Sequence, residues 1–297
     1  MHFPELTVRQ VNRKEAVKLN QKLNTFSNVL SAVFAWACAL AVCSAACLLL
    51  HSVVTAGLTQ VNWAFLTEEP TDSGRTGGIA PIILSTILII GVCLLATIPL
   101  GVGTAIFLAD NHSGKSKLAR WIRTALDVLG GVPSIVFGLF GNAFFCLVLG
   151  MGYSILSGGL TLACMVLPIF VRVAELAIRN VAADHSRAAM ALALSKWTTT
   201  FQVILPRALP GLLAAMTLGL ARALAETAAL IFTSGYVTRY PESLHDSGRS
   251  LSVHIYDLAL NVTGGNERAF ATASVLVILL LLINAVAHFA TRKLLRH

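Results

Sequence analysis

Two pairs of opposite charges lie inside long apolar stretches of this sequence. Arg222 and Glu226 are four residues apart and Arg172 and Glu175 are three apart, so each pair falls on one face of a helix. In a membrane interior an ionised side chain costs at least about 2.5–3.5 kcal/mol, so each charge needs compensation. The arginines could offer bidentate hydrogen bonds to an oxyanion moving along a polar path. Alternatively, each pair is a structural ion pair that fixes helix packing.

Ser134 is a further candidate, in a segment unusually rich in helix breakers. Pro133 precedes it, and the glycines around it are Gly130, Gly131, Gly138 and Gly141. A helix that restarts after the proline would point its N–H groups and the Ser134 hydroxyl at an anion. Close packing of helices through a glycine face explains the same residues without a bound anion. Both interpretations stay open on the sequence alone.

These side chains must be positioned by helices that cross a membrane. The 297 residues are 56% apolar and 12% charged, whereas soluble domains carry about a quarter charged residues. A helix of about 20 apolar residues crosses a hydrocarbon core of about 30 Å, where lipid cannot satisfy an open backbone. The sequence therefore predicts an all-α integral membrane protein with six transmembrane helices, at 28–56, 80–108, 125–149, 155–178, 209–233 and 269–290.

The distribution of basic residues predicts the orientation. Lys and Arg collect in the N-terminal tail, the second and fourth connections and the C-terminus. By the positive-inside rule, both termini face the cytoplasm. The first apolar run begins near Phe26 and is longer than the core of a signal peptide, so we expect it to stay as a membrane anchor.

The remaining composition indicates neither a cofactor nor a metal. The net charge of +8 is spread between apolar runs, which speaks against a nucleic-acid partner. The six cysteines include no CxxC pair and read as packing residues. No nucleotide-binding or metalloprotease pattern is present either, so we expect no enzyme active site and no ATPase site of the chain's own.

The fourth connection, about 179–208, carries the most specific pattern. In order it contains Arg187-Ala188-Ala189, then Ala193, then Val203-Ile204-Leu205-Pro206. This resembles the cytoplasmic loop of ABC importer permeases, which reads Glu-Ala-Ala, three residues, Gly, nine residues, Ile-x-Leu-Pro, and every spacing matches. Arg187, Ala193 and Val203 replace the usual Glu, Gly and Ile.

The resemblance implies that this segment couples the chain to an ATPase. A short helix ending at Pro206 would seat in a groove of the ATPase, with Ala188 and Ala189 against the partner. Because alanine replaces the usual glycine at position 193, the sequence does not decide how sharp the turn is there. The expected coupling residues are Arg187, Ala188, Ala189, Ala193, Leu205 and Pro206.

Segments from Gly77 onward resemble, in unbroken order, the PstA-type phosphate permease. They are GGIAPIILSTILI at 77–89, IPLGVGTAIFLAD at 98–110, GGVPSIVFGLFG at 130–141, LTLACMVLPIFVR at 160–172, LARALAETAALIFT at 220–233 and SLSVHIYDLAL at 250–260. The resemblance implies the type I ABC importer permease fold in a bacterial inner membrane, translocating inorganic phosphate by alternating access. It also implies an ATP-binding cassette ATPase dimer, a second, homologous permease subunit, an extracytoplasmic phosphate-binding protein and membrane lipid as partners.

On this reading the chain has three parts. Residues 1–27 form a cytoplasmic tail, 28–76 the first span with its extracytoplasmic loop, and 77–297 the importer transmembrane domain with the coupling loop at 179–208. Another oxyanion, such as sulfate, molybdate or phosphonate, would use the same architecture. A stand-alone secondary transporter would show inverted repeats, which are not found. An intramembrane enzyme or signalling scaffold would need a catalytic dyad or a cytoplasmic module.

Overall fold

The structure is a computed structural model that describes residues 5–111 and 116–294, and their side chains from residue 28 onward apart from those of 187, 290 and 294. Its helices are α1 Glu5–Leu58, α2 Trp63–Thr67, α3 Ala80–Asp110, α4 Lys117–Gly131, α5 Ser134–Gly141, α6 Ile155–Ala191, α7 Lys196–Thr198, α8 Leu205–Leu224, α9 Ala228–Ile231, α10 Leu251–Leu260 and α11 Asn266–Leu294. Two strands, β1 Pro70–Thr71 and β2 Thr76–Gly77, pair antiparallel in the connection before α3. Wide-turn π-helical segments continue α5 over Asn142–Val148 and precede α8 over Thr199–Ile204.

The chain divides into two units, residues 1–53 and 54–297. The first unit is the larger part of α1, a single helix that also includes the described part of the predicted cytoplasmic tail. The apolar section of α1, Asn28–Leu58, is long enough to cross a bilayer and corresponds to the first predicted span.

The core of the second unit is centred on α6, which packs against α3 and α8. Val166 and Phe170 are one helical turn apart on α6 and are almost fully buried. Each faces a glycine on a neighbouring helix, Gly219 on α8 and Gly101 on α3. Because glycine has no Cβ, the helix backbones come close enough for van der Waals packing to hold them together in lipid.

Five helices of the described residues are long and apolar enough to cross a membrane, and a bent pair of helices makes six if it counts as one crossing. The bent pair replaces the third predicted span, 125–149, which is wrong as a single straight helix. Lys117–Gly131 and Ser134–Val148 meet at 104°. Pro133 has no N–H to donate and disfavours helical geometry at the residue before it, and Val132 is accordingly extended, at φ −72° and ψ 131°.

Three other predicted boundaries are corrected. Helix α6 continues to Ala191, so the fourth connection narrows to the four residues before Lys196. The expected helix stop at Pro206 is also wrong, because the helical path runs from Lys196 to Leu224. The proline directly follows the π-helical segment, and a helix that is already irregular at this point can accommodate a residue without an N–H. At its other end, the helix of the predicted span 209–233 stops at Leu224, nine residues before the predicted boundary.

Candidate functional site

The fifth predicted span breaks beside Arg222. Helix α8 ends at Leu224 and α9 begins at Ala228, which places Arg222 in the last turn before the break. Glu226 lies within the break and is only 5% exposed. Its carboxylate oxygen Oε1 accepts a hydrogen bond from the backbone N–H of Ala229 at 3.2 Å. The side chain thus replaces the helix carbonyl that this N–H would otherwise use.

The expectation that Arg222 and Glu226 neutralise each other is wrong. Because the helix ends between them, they do not share the face that a spacing of four gives in a continuous helix. The Glu226 carboxylate turns to the backbone of α9 instead. Arg222 is exposed in this chain and forms no ion pair with any side chain that the structure describes.

A chain of hydroxyl groups links the break to α10. The Ser252 hydroxyl donates to the backbone carbonyl of Glu226 at 2.5 Å and lies 2.9 Å from the Ser250 hydroxyl. Ser250 caps α10 by accepting from the N–H of Val253 at 3.2 Å. The N–H of Leu251 donates to the Thr86 hydroxyl on α3 at 2.9 Å. These bonds fix the position of the break relative to the start of α10.

The alternative that Arg172 and Glu175 form an ion pair with each other is also wrong. Both side chains reach across to α4, where Glu175 pairs with Arg123 at 2.8 Å and Arg172 pairs with Asp127. Arg123 additionally donates to the carbonyl of Leu108 near the end of α3, at 2.7 Å. Helix α4 presents its two charges four residues apart on the side that meets α6. Two inter-helix ion pairs therefore replace one pair within a helix.

The segment around Ser134 combines both interpretations of its glycines. Helix α5 does restart at Ser134, directly after Pro133. A Cβ added to Gly138 would lie 2.9 Å from the Ala229 Cα, so this glycine is needed for the contact between α5 and α9. Gly130, in contrast, has nothing within 4 Å of that position. Packing therefore explains the glycines after the break but not those before it.

The turn after α6 keeps the geometry of a glycine turn although its central residue is alanine. Ala193 has a positive φ of 50°. The N–H of Ala193 donates to the Met190 carbonyl at 3.0 Å, and the N–H of Leu194 donates to the Ala189 carbonyl at 3.1 Å. This is the Schellman pattern of hydrogen bonds, which usually has glycine at the left-handed position. The turn is therefore as sharp as the glycine pattern requires, at a conformational cost of about 1–2 kcal/mol.

The two alanines of the coupling pattern face different surroundings. Ala188 is exposed, whereas Ala189 is 4% exposed and packed within the chain. The expectation that both alanines lie against the partner is therefore wrong for Ala189, because neighbouring side chains in a helix point about 100° apart. Arg187 also lies in α6, and its side chain falls outside the described part of the structure.

A cleft of about 860 Å³ lies beside this turn. It separates the end of α3 from the end of α6 and the start of the next helical run. Its polar lining includes Asp110, Arg179, Asn180, Lys196 and Thr199. The turn is thus bordered by a space with both charged and hydroxyl groups.

A buried polar cluster orders the connection between α9 and α10. The Arg249 guanidinium lies 2.8 Å from the Asp257 carboxylate, 3.3 Å from His254 Nδ1 and 2.9 Å from the Tyr236 carbonyl. His254 is fully buried. Burial, and secondarily the charge of Arg249, lowers the pKa of His254 to about 3. The ring is therefore neutral, and Nδ1 can accept a hydrogen bond from Arg249.

The sequence alone identified neither the α4 partners of Arg172 and Glu175 nor the cluster around Arg249. Asp127 is the one acidic residue in the predicted third span, so its need for a charged partner was visible in the sequence, although that partner is Arg172 on α6. Arg249 and Asp257 have no such signal. Their spacing of eight residues crosses the start of α10, and no local pattern shows that they meet.

The comparisons with known proteins agree with this architecture. Residues 97–297 match the family model described as "Binding-protein-dependent transport system inner membrane component". The matched region begins within α3 and includes the bent pair, the turn after α6 and the break beside Arg222.

Similar curated proteins are bacterial permeases. The probable ABC transporter permease protein YqgI of Bacillus subtilis is 33% identical over 252 residues, which cover 80% of this chain and 85% of that protein. The phosphate transport system permease protein PstA 1 of Mycobacterium tuberculosis is 32% identical over 213 residues, covering 71% of this chain and 69% of that protein.

A solved structure with a similar fold is an inward-facing conformation of the MetNI methionine ABC transporter. It superposes with a TM-score of 0.56 at 17% identity, covering 72% of this chain and 96% of the other, which shows the fold alone. Taken with the matched family model and the all-α spans, these likenesses show that the chain belongs to the binding-protein-dependent transport system inner membrane components, the permease subunits of ABC importers.

Proposed function

We propose that this chain is the permease subunit of an ATP-driven importer that carries inorganic phosphate into the cell by alternating access. Its similarity to the M. tuberculosis PstA 1 protein supports this substrate. The observation that carries the proposal is Arg222, a guanidinium beside a break in a span, without an ion-pair partner in the described residues. A charge in that position is expensive, and such residues mark polar paths and binding sites.

The broken helix gives Arg222 a suitable environment for an oxyanion. Arg222 lies in the last turn of α8, where the partial negative charge of the terminal carbonyls favours a cationic side chain. Glu226 directs its carboxylate away, into a hydrogen bond with the Ala229 N–H. A phosphate oxyanion would therefore meet the planar donors of Arg222 without meeting that negative charge directly.

The test is uptake of radiolabelled phosphate by cells that carry this chain or its Arg222→Ala or Arg222→Lys form. We expect both substitutions to abolish uptake while the complex still assembles, because lysine cannot reproduce a bidentate contact. Arg75→Ala is the matched control, since Arg75 lies in an exposed pair with Asp72 outside the spans. Unlabelled sulfate distinguishes the substrates, and competition by sulfate would point to a different oxyanion.

Arg172, Glu175, Glu226 and Ser134 are less direct candidates for the same path. Arg172 and Glu175 already have charged partners on α4, so we assign them to holding that helix in place. Glu226 holds the start of α9. Ser134 stays a predicted contact of the anion, and an unchanged transport rate in Ser134→Ala would remove it from the path.

We further assign the turn after α6 to the contact with an ATP-binding cassette ATPase dimer. A second permease and an extracytoplasmic phosphate-binding protein would complete the importer, with residues 77–297 as its transmembrane domain. Ala188 is exposed at the end of α6, where a bulky charge would block docking. We expect Ala188→Glu to abolish co-purification of the ATPase without lowering the level of the permease in the membrane. Retention of the ATPase would contradict this assignment.

The exposed Ala183, five residues earlier on the same helix, provides the matched control for that experiment. A spacing of five residues places the two side chains on different faces of α6. Ala183→Glu should leave the ATPase bound, so loss in both variants would indicate a general defect and not a specific contact.

A further inference from the structure

Helix α4 has three distinct faces. One face packs on the protein through Ala119 and Leu126, both at most 5% exposed, and through the partly buried Ile122. Their spacing of three and four residues places them on one side of the helix. This side also carries Arg123, whose ion pair with Glu175 helps fix the rotation of α4 about its axis.

The second face is an exposed apolar stripe. It consists of Leu118, Trp121, Ala125 and Val128, which are spaced three, four and three residues apart and therefore share one side of the helix. Trp121 is 74% exposed, Val128 64% and Leu118 60%. Nothing in the described chain covers this stripe, and a row of large apolar side chains on a water-facing helix would be unfavourable.

The third face is polar. Lys117, Arg120, Thr124 and Asp127 repeat the same three, four, three spacing on the side next to the stripe. Asp127 pairs with Arg172 of α6. The two ion pairs to α6 therefore hold the polar face and the apolar stripe in a fixed orientation.

The bend after α4 sets its direction relative to the membrane. The apolar helix Ser134–Val148 follows at 104° to α4. If that helix runs along the membrane normal, α4 lies close to the membrane plane. Exposed apolar side chains are also present at the start of the next helix, where Ile135 and Leu139 are about half exposed.

We propose that α4 lies in the cytoplasmic interface of the bilayer and binds anionic phospholipid there. The stripe inserts at the boundary between headgroups and acyl chains, and Lys117 on the polar face meets the phosphate groups. The arrangement of protein, lipid and water on three successive faces is that of an interfacial amphipathic helix, and tryptophan favours this depth. Charge complementarity favours lipid as the partner, because the cytoplasmic leaflet carries a negative surface potential.

The test measures the depth of Trp121 in the complete transporter, reconstituted in vesicles of phosphatidylcholine and phosphatidylglycerol. Fluorescence of the complex minus that of its Trp121→Phe form isolates this residue from all other tryptophans. We expect lipids brominated near the headgroup end of the acyl chains to quench the difference signal by about half or more, and lipids brominated near the chain ends to quench it less.

Two other tryptophans serve as matched controls. The Trp36→Phe difference reports a residue in the first span, which should be quenched most by bromine deep in the bilayer. The Trp197→Phe difference reports an exposed residue beside the coupling turn, which should not be quenched. Trp121 behaving like Trp197 would overturn the proposal and show that protein or water covers the stripe. Trp121 behaving like Trp36 would overturn the interfacial position.

The lipid charge is tested separately. Replacing phosphatidylglycerol by phosphatidylcholine should reduce quenching of Trp121, and Lys117→Glu should reduce it in the anionic vesicles. Quenching that ignores both changes would overturn the assignment of anionic headgroups to the polar face.

Discussion

The guanidinium of Arg123 on α4 lies 2.8 Å from the carboxylate of Glu175 on α6, and the same guanidinium donates to the Leu108 carbonyl at 2.7 Å. One side chain therefore joins α4, α6 and α3. Glu175 is 13% exposed in its side chain and Arg123 30%, so water screens the pair only in part.

Arg123→Ala should lower the stability of the chain by about 1–3 kcal/mol, because it leaves the Glu175 carboxylate and the Leu108 carbonyl without their donor. The measurement is the midpoint of thermal unfolding in lipid nanodiscs. Arg75→Ala, which breaks the exposed pair with Asp72, should shift the midpoint far less. A charge exchange, Arg123→Glu with Glu175→Arg, should recover part of the loss, and equal midpoints for Arg123→Ala and Arg75→Ala would contradict the role of this pair.

Much of the architecture follows from the sequence, but the polar pairing does not. Hydrophobic length alone predicts where spans occur, since lipid permits only self-satisfied helices. Whether a span breaks depends on side chains that compete for backbone groups. The break at Pro133 has a local cause in the sequence. The break at Glu226 instead involves two hydrogen bonds that this residue accepts, one from the Ala229 N–H and one from the hydroxyl of Ser252, which is 26 positions away.

The ion-pair partners of the charged residues could not be predicted for a related reason. Arg172 and Glu175 satisfy a local spacing rule, yet α4 presents better-placed partners after folding back on α6. Such a long-range choice cannot be read from spacing, because a local pair in the weaker orientation gains only a few tenths of a kcal/mol.

Ala193→Gly should stabilise the turn after α6. Ala193 adopts a left-handed backbone at φ 50°, which glycine tolerates without the clash of a Cβ. We expect a gain of about 1 kcal/mol in the free energy of unfolding, measured as an increase in the thermal midpoint. Ala191→Gly, in the last turn of the same helix, should instead destabilise by about 0.5–1 kcal/mol. The opposite order of the two variants would show that the turn is not strained.

Glu226→Gln distinguishes a capping role from a charge role. The amide oxygen of glutamine can still accept from the Ala229 N–H, so a capping residue should keep most transport activity after this change. Glu226→Ala removes the acceptor and should reduce assembled permease, at a cost of about 1–2 kcal/mol. The measurements are phosphate uptake and the amount of intact complex. Loss of uptake in the glutamine form with normal assembly would mean that the negative charge itself is needed.

Gly141→Ala should weaken the contact of α5 with α6. A Cβ at this position would overlap the Thr161 hydroxyl and crowd Thr233, both buried. Overpacking of this kind costs about 1–3 kcal/mol, which a lowered thermal midpoint would show. Gly130→Ala is the matched control, because nothing lies within 4 Å of its Cβ position. A similar loss in both variants would argue against close packing at Gly141.

Acidification should destabilise the cluster around His254. Burial lowers the pKa of this histidine to about 3 in the folded chain, against 6.5 for the ordinary side chain. The unfolded chain therefore binds one more proton between these values, so stability falls as the pH decreases from about 6.5 toward 3. Arg249, 3.3 Å away, adds repulsion if the ring becomes protonated, and Asp257 offsets it in part.

The measurement is the thermal midpoint of the purified chain between pH 7 and pH 4, compared with that of His254→Gln. Glutamine has no proton to gain in this range and can still accept a hydrogen bond from Arg249, so its midpoint should fall less on acidification. The two curves should differ most at the acid end and approach a constant offset above pH 7. Parallel curves throughout would mean that His254 is not held neutral by burial, and that other groups account for the acid sensitivity.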